Sequence, residues 1–213
     1  MLKSLISKLP NPLRSLAVRF DSSPIANSDQ LTDFLQTRSA YVAQTSLYGY
    51  LKTRMGTSFR QYFEDDAFSQ SIRVAAIKVY ESCLADLTIF AVGLAASDAD
   101  HPVAPQHARA LACRCYEDAL QRMLDSGDHI HISADAAQEF RHRVEGTDWG
   151  HAALRENAFS GSVRDLLRYA PVVDEFKELD GNIVSNSIRY RWQDVRRQLR
   201  KRLDLKGLAS DRN

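Results

Sequence analysis

The chain has 213 residues, enough for one large domain or two small ones, and at this size about 70% of the unfolded surface can be buried without a metal or disulfide staple. Hydrophobic residues make up 44% and charged residues 26%, a balance that excludes a disordered chain, a collagen-like repeat and a disulfide scaffold. Nine Gly and six Pro leave little room for the turns of an all-β protein.

The net charge of +1 hides a segregation: residues 1–21 sum to +3, residues 187–213 to +6, and the 165 residues between them to −8. An acidic body with basic ends suits a protein that lays its termini on an anionic surface, and equally one whose ends dock on its own body. Cys83, Cys113 and Cys115 are an odd number and read as reduced thiols of a cytosol-like compartment.

The first 21 residues contain two short basic amphipathic segments. Leu2, Leu5, Ile6 and Leu9 share a helical arc of about 100°, with Lys3 and Lys8 outside it. Asn11-Pro12 is a helix start, and Leu13, Leu16, Ala17 and Phe20 form a second stripe flanked by Arg14 and Arg19. Such an arm has three readings: an interfacial or partner-docking anchor, a strap packed across its own bundle, and a mitochondrial transit peptide.

After a break at Pro24, the hydrophobic period is helical almost throughout. Helices are predicted over 28–55, 67–96, 106–124, 133–144, 149–158 and 162–169, with a last one from 183. In the first, Leu31, Phe34, Tyr41, Tyr48 and Met55 form the expected buried stripe, and Gly56 the stop. The second is the most apolar: Phe68, Ile72, Ala76, Val79, Cys83, Leu87, Phe90 and Leu94 run beside a second row of Val74, Ile77, Leu84 and Ala91. Two apolar rows mark the centre of a bundle. Its densest stretch, residues 87–96, is bracketed by Asp86 and Asp98 and falls short of the about twenty residues a membrane span needs. Leu111, Cys115, Leu120 and Leu124 are the core positions expected in the third helix.

These elements predict an all-α, multi-helix bundle: a basic arm over 1–21, a single domain over 28–205 and a flexible tail over 206–213. In the last helix, Val184, Ile188, Trp192, Val195, Leu199 and Leu203 form one stripe with Trp192 buried at its centre. Basic residues, Arg197, Arg200 and Lys201 among them, cover the opposite arc.

No phosphate loop, nucleophile elbow or H-E-x-x-H is present. Glu139-Phe140-Arg141-His142 is a single E-x-x-H, whereas di-iron bundles use two with further carboxylates; its nearest echo, Asp148–His151, contains a Gly. Cys113 and Cys115 point about 160° apart on a helix and cannot clamp one metal. His129 and His131 alternate as in a loop. A bundle enzyme with an internal cofactor pocket would gather Tyr41, Tyr48, Glu139 and His142.

The stretch 47–62 carries Lys52, Gly56, Ser58-Phe59 and Tyr62, and in that spacing resembles part of an AraC-type helix-turn-helix. The resemblance covers sixteen residues and implies a nucleic-acid-binding regulator. The segment lies in the net-acidic body, which repels phosphates, and no second helix-turn-helix follows.

The reading these features favour is a non-enzymatic adaptor, scaffold or assembly factor without a cofactor, held at the cytoplasmic face of an anionic membrane or on a membrane-protein complex. The contact residues would be Leu2, Leu5, Ile6, Leu9, Leu13, Arg14, Leu16, Arg19 and Phe20 of the arm together with Arg197, Arg200 and Lys201. For both ends to meet one surface, they must leave the bundle on the same side.

Overall fold

The computed structural model describes residues 22–58, 64–100, 102–125, 132–155 and 157–210. Among them are seven helices: α1 Ser28–Met55, α2 Asp66–Ala96, α3 Pro105–Asp125, α4 Ala136–Glu145, α5 Ser160–Tyr169, α6 Asp174–Arg202 and α7 Leu205–Ser210. An isolated parallel bridge, Ile25 with Leu203, is the extended pairing among these residues. The architecture is an all-α bundle, with the long apolar α2 at its centre in contact with α1, α3, α4, α5 and α7. The arm over 1–21 and its predicted helices lie outside the described residues.

Local chemistry sets the helix ends. The Asn27 carboxamide oxygen accepts from the Gln30 amide at 2.9 Å and caps α1, which starts at Ser28 as the sequence suggests. Asp65 does the same for α2 through the Phe68 amide at 3.0 Å. Gly56 closes α1 with φ +54°, a conformation that favours glycine.

The whole of α2 is long and apolar enough to cross a membrane by length and composition, more than the run 87–96 alone implies. The fold uses that apolarity internally: 83% of the qualifying window is buried. The buried face departs from the predicted stripes at Val74 and Leu124, which are exposed, and at Tyr41, which faces solvent while Leu35, Val42 and Leu47 fill the core. Arg38, Ser39 and Ser46 of α1 are buried with them, so the inner face of α1 is partly polar.

The described residues of the stretch 149–158 do not form the predicted helix. Amide bonds there close over three residues (His151 to the Asp148 carbonyl, Leu154 to His151, Ala158 to Arg155), which makes a chain of turns. The turns carry Trp149, Ala152 and Ala153 into the core, where a Cβ on Gly93 of α2 would stand 2.9 Å from the Ala152 Cβ. Close approach at Gly93 replaces a helix face.

A buried polar centre joins four helices. Asp86 of α2 is fully buried; its carboxylate accepts from the Ser162 amide at 2.7 Å and from the Arg143 guanidinium at 2.6 Å. Ser162 lies in the first turn of α5, whose N-cap residue supplies no side-chain cap, so Asp86 caps that helix from outside. The Ser162 hydroxyl donates to the Phe159 carbonyl at 3.0 Å and accepts from the Trp192 indole of α6 at 3.1 Å. Gly161 makes room, since a Cβ there would lie 2.8 Å from an Asp86 oxygen. Burial raises the Asp86 carboxyl above its ordinary pKa, and the charge and hydrogen bonds of Arg143 and Ser162 pull it back.

Beside it, Asp165 of α5 accepts from the Ser82 hydroxyl and from Arg164. Burial pushes this carboxyl up, but Arg164, Ser82 and Arg168 outweigh it and hold the pKa below 3.8.

Helix α6 begins at Asp174, nine residues before the predicted start. Arg191, past the middle of α6, donates to the Thr45 hydroxyl of α1 at 3.1 Å, and near the helix start Arg54 of α1 grips the buried Asp180 with two hydrogen bonds. Further along, Val184, Ile188, Trp192, Val195 and Leu199 are buried as their spacing predicts, and the Trp192 ring stacks on Phe159 at 4.5 Å.

Two consequences are measurable. Trp192→Ala opens a cavity at this crossing and is expected to cost about 3–5 kcal/mol in urea unfolding. The Asp165 contribution is present above its ordinary pKa of 3.8 and is lost as pH falls through the lower folded value. The stability gap between wild type and Asp165→Asn is therefore expected to be open at neutral pH and to narrow below that value, as read from urea midpoints.

Candidate interaction surface at the joined termini

The described chain enters the fold against the end of α6. The Ile25 amide donates to the Arg202 carbonyl at 2.8 Å, the Asp204 amide donates to the Ile25 carbonyl at 2.9 Å, and the Arg202 guanidinium donates to the Ser23 carbonyl at 2.9 Å. Ile25 is fully buried, so this pairing is part of the core edge.

Residues 206–210 of the expected tail lie in α7. Leu208 is 3% exposed, and Asp204 caps the helix by accepting from the Gly207 amide at 3.1 Å. Gly207 is required by close approach: a Cβ there would stand 2.8 Å from the Ala26 Cβ and 2.9 Å from the Ala26 carbonyl oxygen. The two ends of the described chain are thereby clamped to each other.

Around this clamp the last turns of α6 are basic. Arg196 lies over the Phe90 ring at 5.0 Å and over Phe159 at 5.8 Å, and burial, with the charge of Arg200 beside it, lowers its pKa. Arg200 is exposed with its guanidinium 5.6 Å from the Phe90 ring, and Arg202 lies 5.3 Å from that of Phe34. The rings hold the stems of these residues without neutralising their charge. Arg197 is exposed and pairs with Asp194 at 2.5 Å. Lys201 is exposed, and among the described residues no ion pair engages Arg200 or Lys201.

Of the predicted contact residues, Arg197, Arg200 and Lys201 thus project from one end of α6. Leu2, Leu5, Ile6, Leu9, Leu13, Arg14, Leu16, Arg19 and Phe20 lie outside the described residues. Arg19 precedes Ser23 by four residues, a reach of at most about 14 Å from the clamp. Ile25 and Arg202 escaped the sequence reading, because no local pattern announces a pairing between residues 25 and 203.

The residues of the other readings are dispersed or engaged. Glu139 and His142 are exposed on α4, where His142 lies 3.3 Å from Glu145. Tyr48 is half-buried on α1, and burial raises its phenol pKa. Among the described residues no cluster of three or more His, Cys, Asp or Glu side chains could hold a metal. His129 and His131 lie outside those residues. Cys115 is buried and Cys113 half-buried, while burial drives the Cys83 thiol well up in pKa. In the helix-turn-helix-like stretch, Leu47, Tyr50 and Leu51 are core residues of α1, and Arg54 is held by Asp180; residues 59–63 are outside the described chain.

Leu208→Asp would place an unpaired charge in the clamp. It is expected to detach α7 while the rest of the bundle stays folded, speeding hydrogen exchange of the Asp204 amide by about tenfold or more.

No protein-family model matches the chain, and no curated protein or solved structure matches it either.

Proposed function

We propose that the protein is a non-enzymatic helical adaptor or assembly factor that rests on an anionic membrane surface at the cytoplasmic side. Its basic arm and the basic end of α6 would together form the contact. The observation that supports this most is the clamp of Ser23 and Ile25 onto Arg202–Asp204, which holds the described residues that follow the arm at the basic end of α6. The charge segregation of the chain supports it as well, because the net-acidic body is then free to face a protein partner.

The mechanism is additive. Each Lys or Arg near an anionic leaflet contributes roughly 1 kcal/mol, and the arm's Leu2, Leu5, Ile6, Leu9, Leu13, Leu16 and Phe20 add shallow apolar insertion. Neither patch need hold alone. Joined at one point of a rigid bundle, each raises the effective concentration of the other at the surface.

The test is co-sedimentation with vesicles containing phosphatidylserine, at low and moderate salt. Wild type is expected to bind and to weaken with salt. Arg14→Glu with Arg19→Glu, or Arg197→Glu with Arg200→Glu and Lys201→Glu, is expected to lower partitioning by about tenfold or more, and the two sets together to abolish it. Equal partitioning of all variants would overturn the proposal. Binding to random-sequence duplex DNA with a steeper salt slope than to vesicles would replace it with a nucleic-acid role.

A further inference from the structure

Helix α6 carries a second apolar stripe on the side facing away from the core. Phe176, Leu179, Ile183 and Tyr190 are 43%, 75%, 69% and 69% exposed. Their spacing of three, four and seven residues sets them on one face, roughly opposite the buried row of Val184, Ile188, Trp192, Val195 and Leu199. Isolated apolar residues on a surface need no explanation, but four large ones aligned on one helix form a seam. Asn186 is exposed between Ile183 and Tyr190 at the position where the same repeat calls for a seam residue.

The charges along this helix are polarised. Glu175 and Glu178 are exposed near the start of α6, Glu175 beside the seam, and Arg197, which pairs with Asp194, and Lys201 are exposed in line with the seam beyond its end. A parallel neighbour of the same kind would set like charges together. An antiparallel copy places each acidic half against the other's basic half, and both halves are satisfied by one two-fold axis.

We propose that the occupant of this seam is a second copy of the chain, with the two α6 helices crossing antiparallel about an axis near residues 183–187. Phe176, Leu179, Ile183 and Tyr190 of each copy pack across the axis, and Asn186, lying close to its counterpart, fixes the register. The arm of the same chain fits the seam less well. It carries four basic residues against one acidic one, so it offers no matching acidic segment to Arg197 and Lys201.

The inference goes beyond the membrane reading and is tested without lipid. Sedimentation velocity of the full chain over a range of concentrations is expected to show a monomer–dimer equilibrium. Ile183→Glu, on a side chain already exposed, is expected to raise the dimer dissociation constant by about tenfold or more with unchanged circular dichroism. Glu175→Lys with Glu178→Lys, and separately Arg197→Glu with Lys201→Glu, are each expected to weaken self-association. Mixing the two charge-reversed proteins is expected to restore a dimer, now mixed, because both contact sets become attractive again. A chain that stays monomeric at its highest soluble concentration would overturn the proposal. So would a dimer that Ile183→Glu leaves unchanged, or one that appears only when residues 1–21 are deleted, the last of which would assign the seam to the arm.

Discussion

A carboxylate without access to water survives only where donors surround it, and Asp86 meets that demand with groups from the helices it organises. Arg143 brings α4 to it, the Ser162 amide brings the start of α5, and the Ser162 hydroxyl receives the Trp192 indole of α6. The position of α6 therefore depends on a chain of contacts that begins on the central helix. Gly161 is the geometric condition for that chain, since any larger residue would press on the carboxylate.

From this centre the fold delivers two faces of α6. One end of the helix closes on Ile25 and holds Arg196, Arg200 and Arg202 against aromatic rings, which stiffens a basic patch without neutralising it. The outward side presents Phe176, Leu179 and Ile183 to solvent. Both surfaces belong to one rigid helix: a protein dimerised through the seam engages Arg197 and Lys201 there and carries two copies of Arg196, Arg200 and Arg202 at its ends. Two patches on one body hold a surface more firmly than one by effective concentration.

Much of the fold was legible in the sequence, where local rules act. The limits of α1, α2 and α3 follow from caps, Gly56 and the loop prolines, and the α6 core stripe follows from its spacing. The misreadings have physical causes. The first turns of α6 were invisible because their apolar residues face outward, while an ion pair between Asp180 and Arg54 holds the inner side. The stretch 149–158 shows a helical period, yet it packs as turns against the small side of α2 at Gly93. The inner face of α1 hides Ser39 and Ser46, which hydropathy assigns to solvent. At the candidate surface, basic composition was readable, but the joining of residues 25 and 203 is a pairing across almost the whole chain that no local pattern encodes.

The central claim is that the two ends act as one surface, and hydrogen exchange of the full chain bound to phosphatidylserine vesicles tests it most directly. The account predicts that binding slows exchange together at the entry segment 22–26 and at the end of α6 with α7, and leaves α3 and α4 unchanged. Slowing at only one of the two ends, or at α3 and α4 instead, would contradict it.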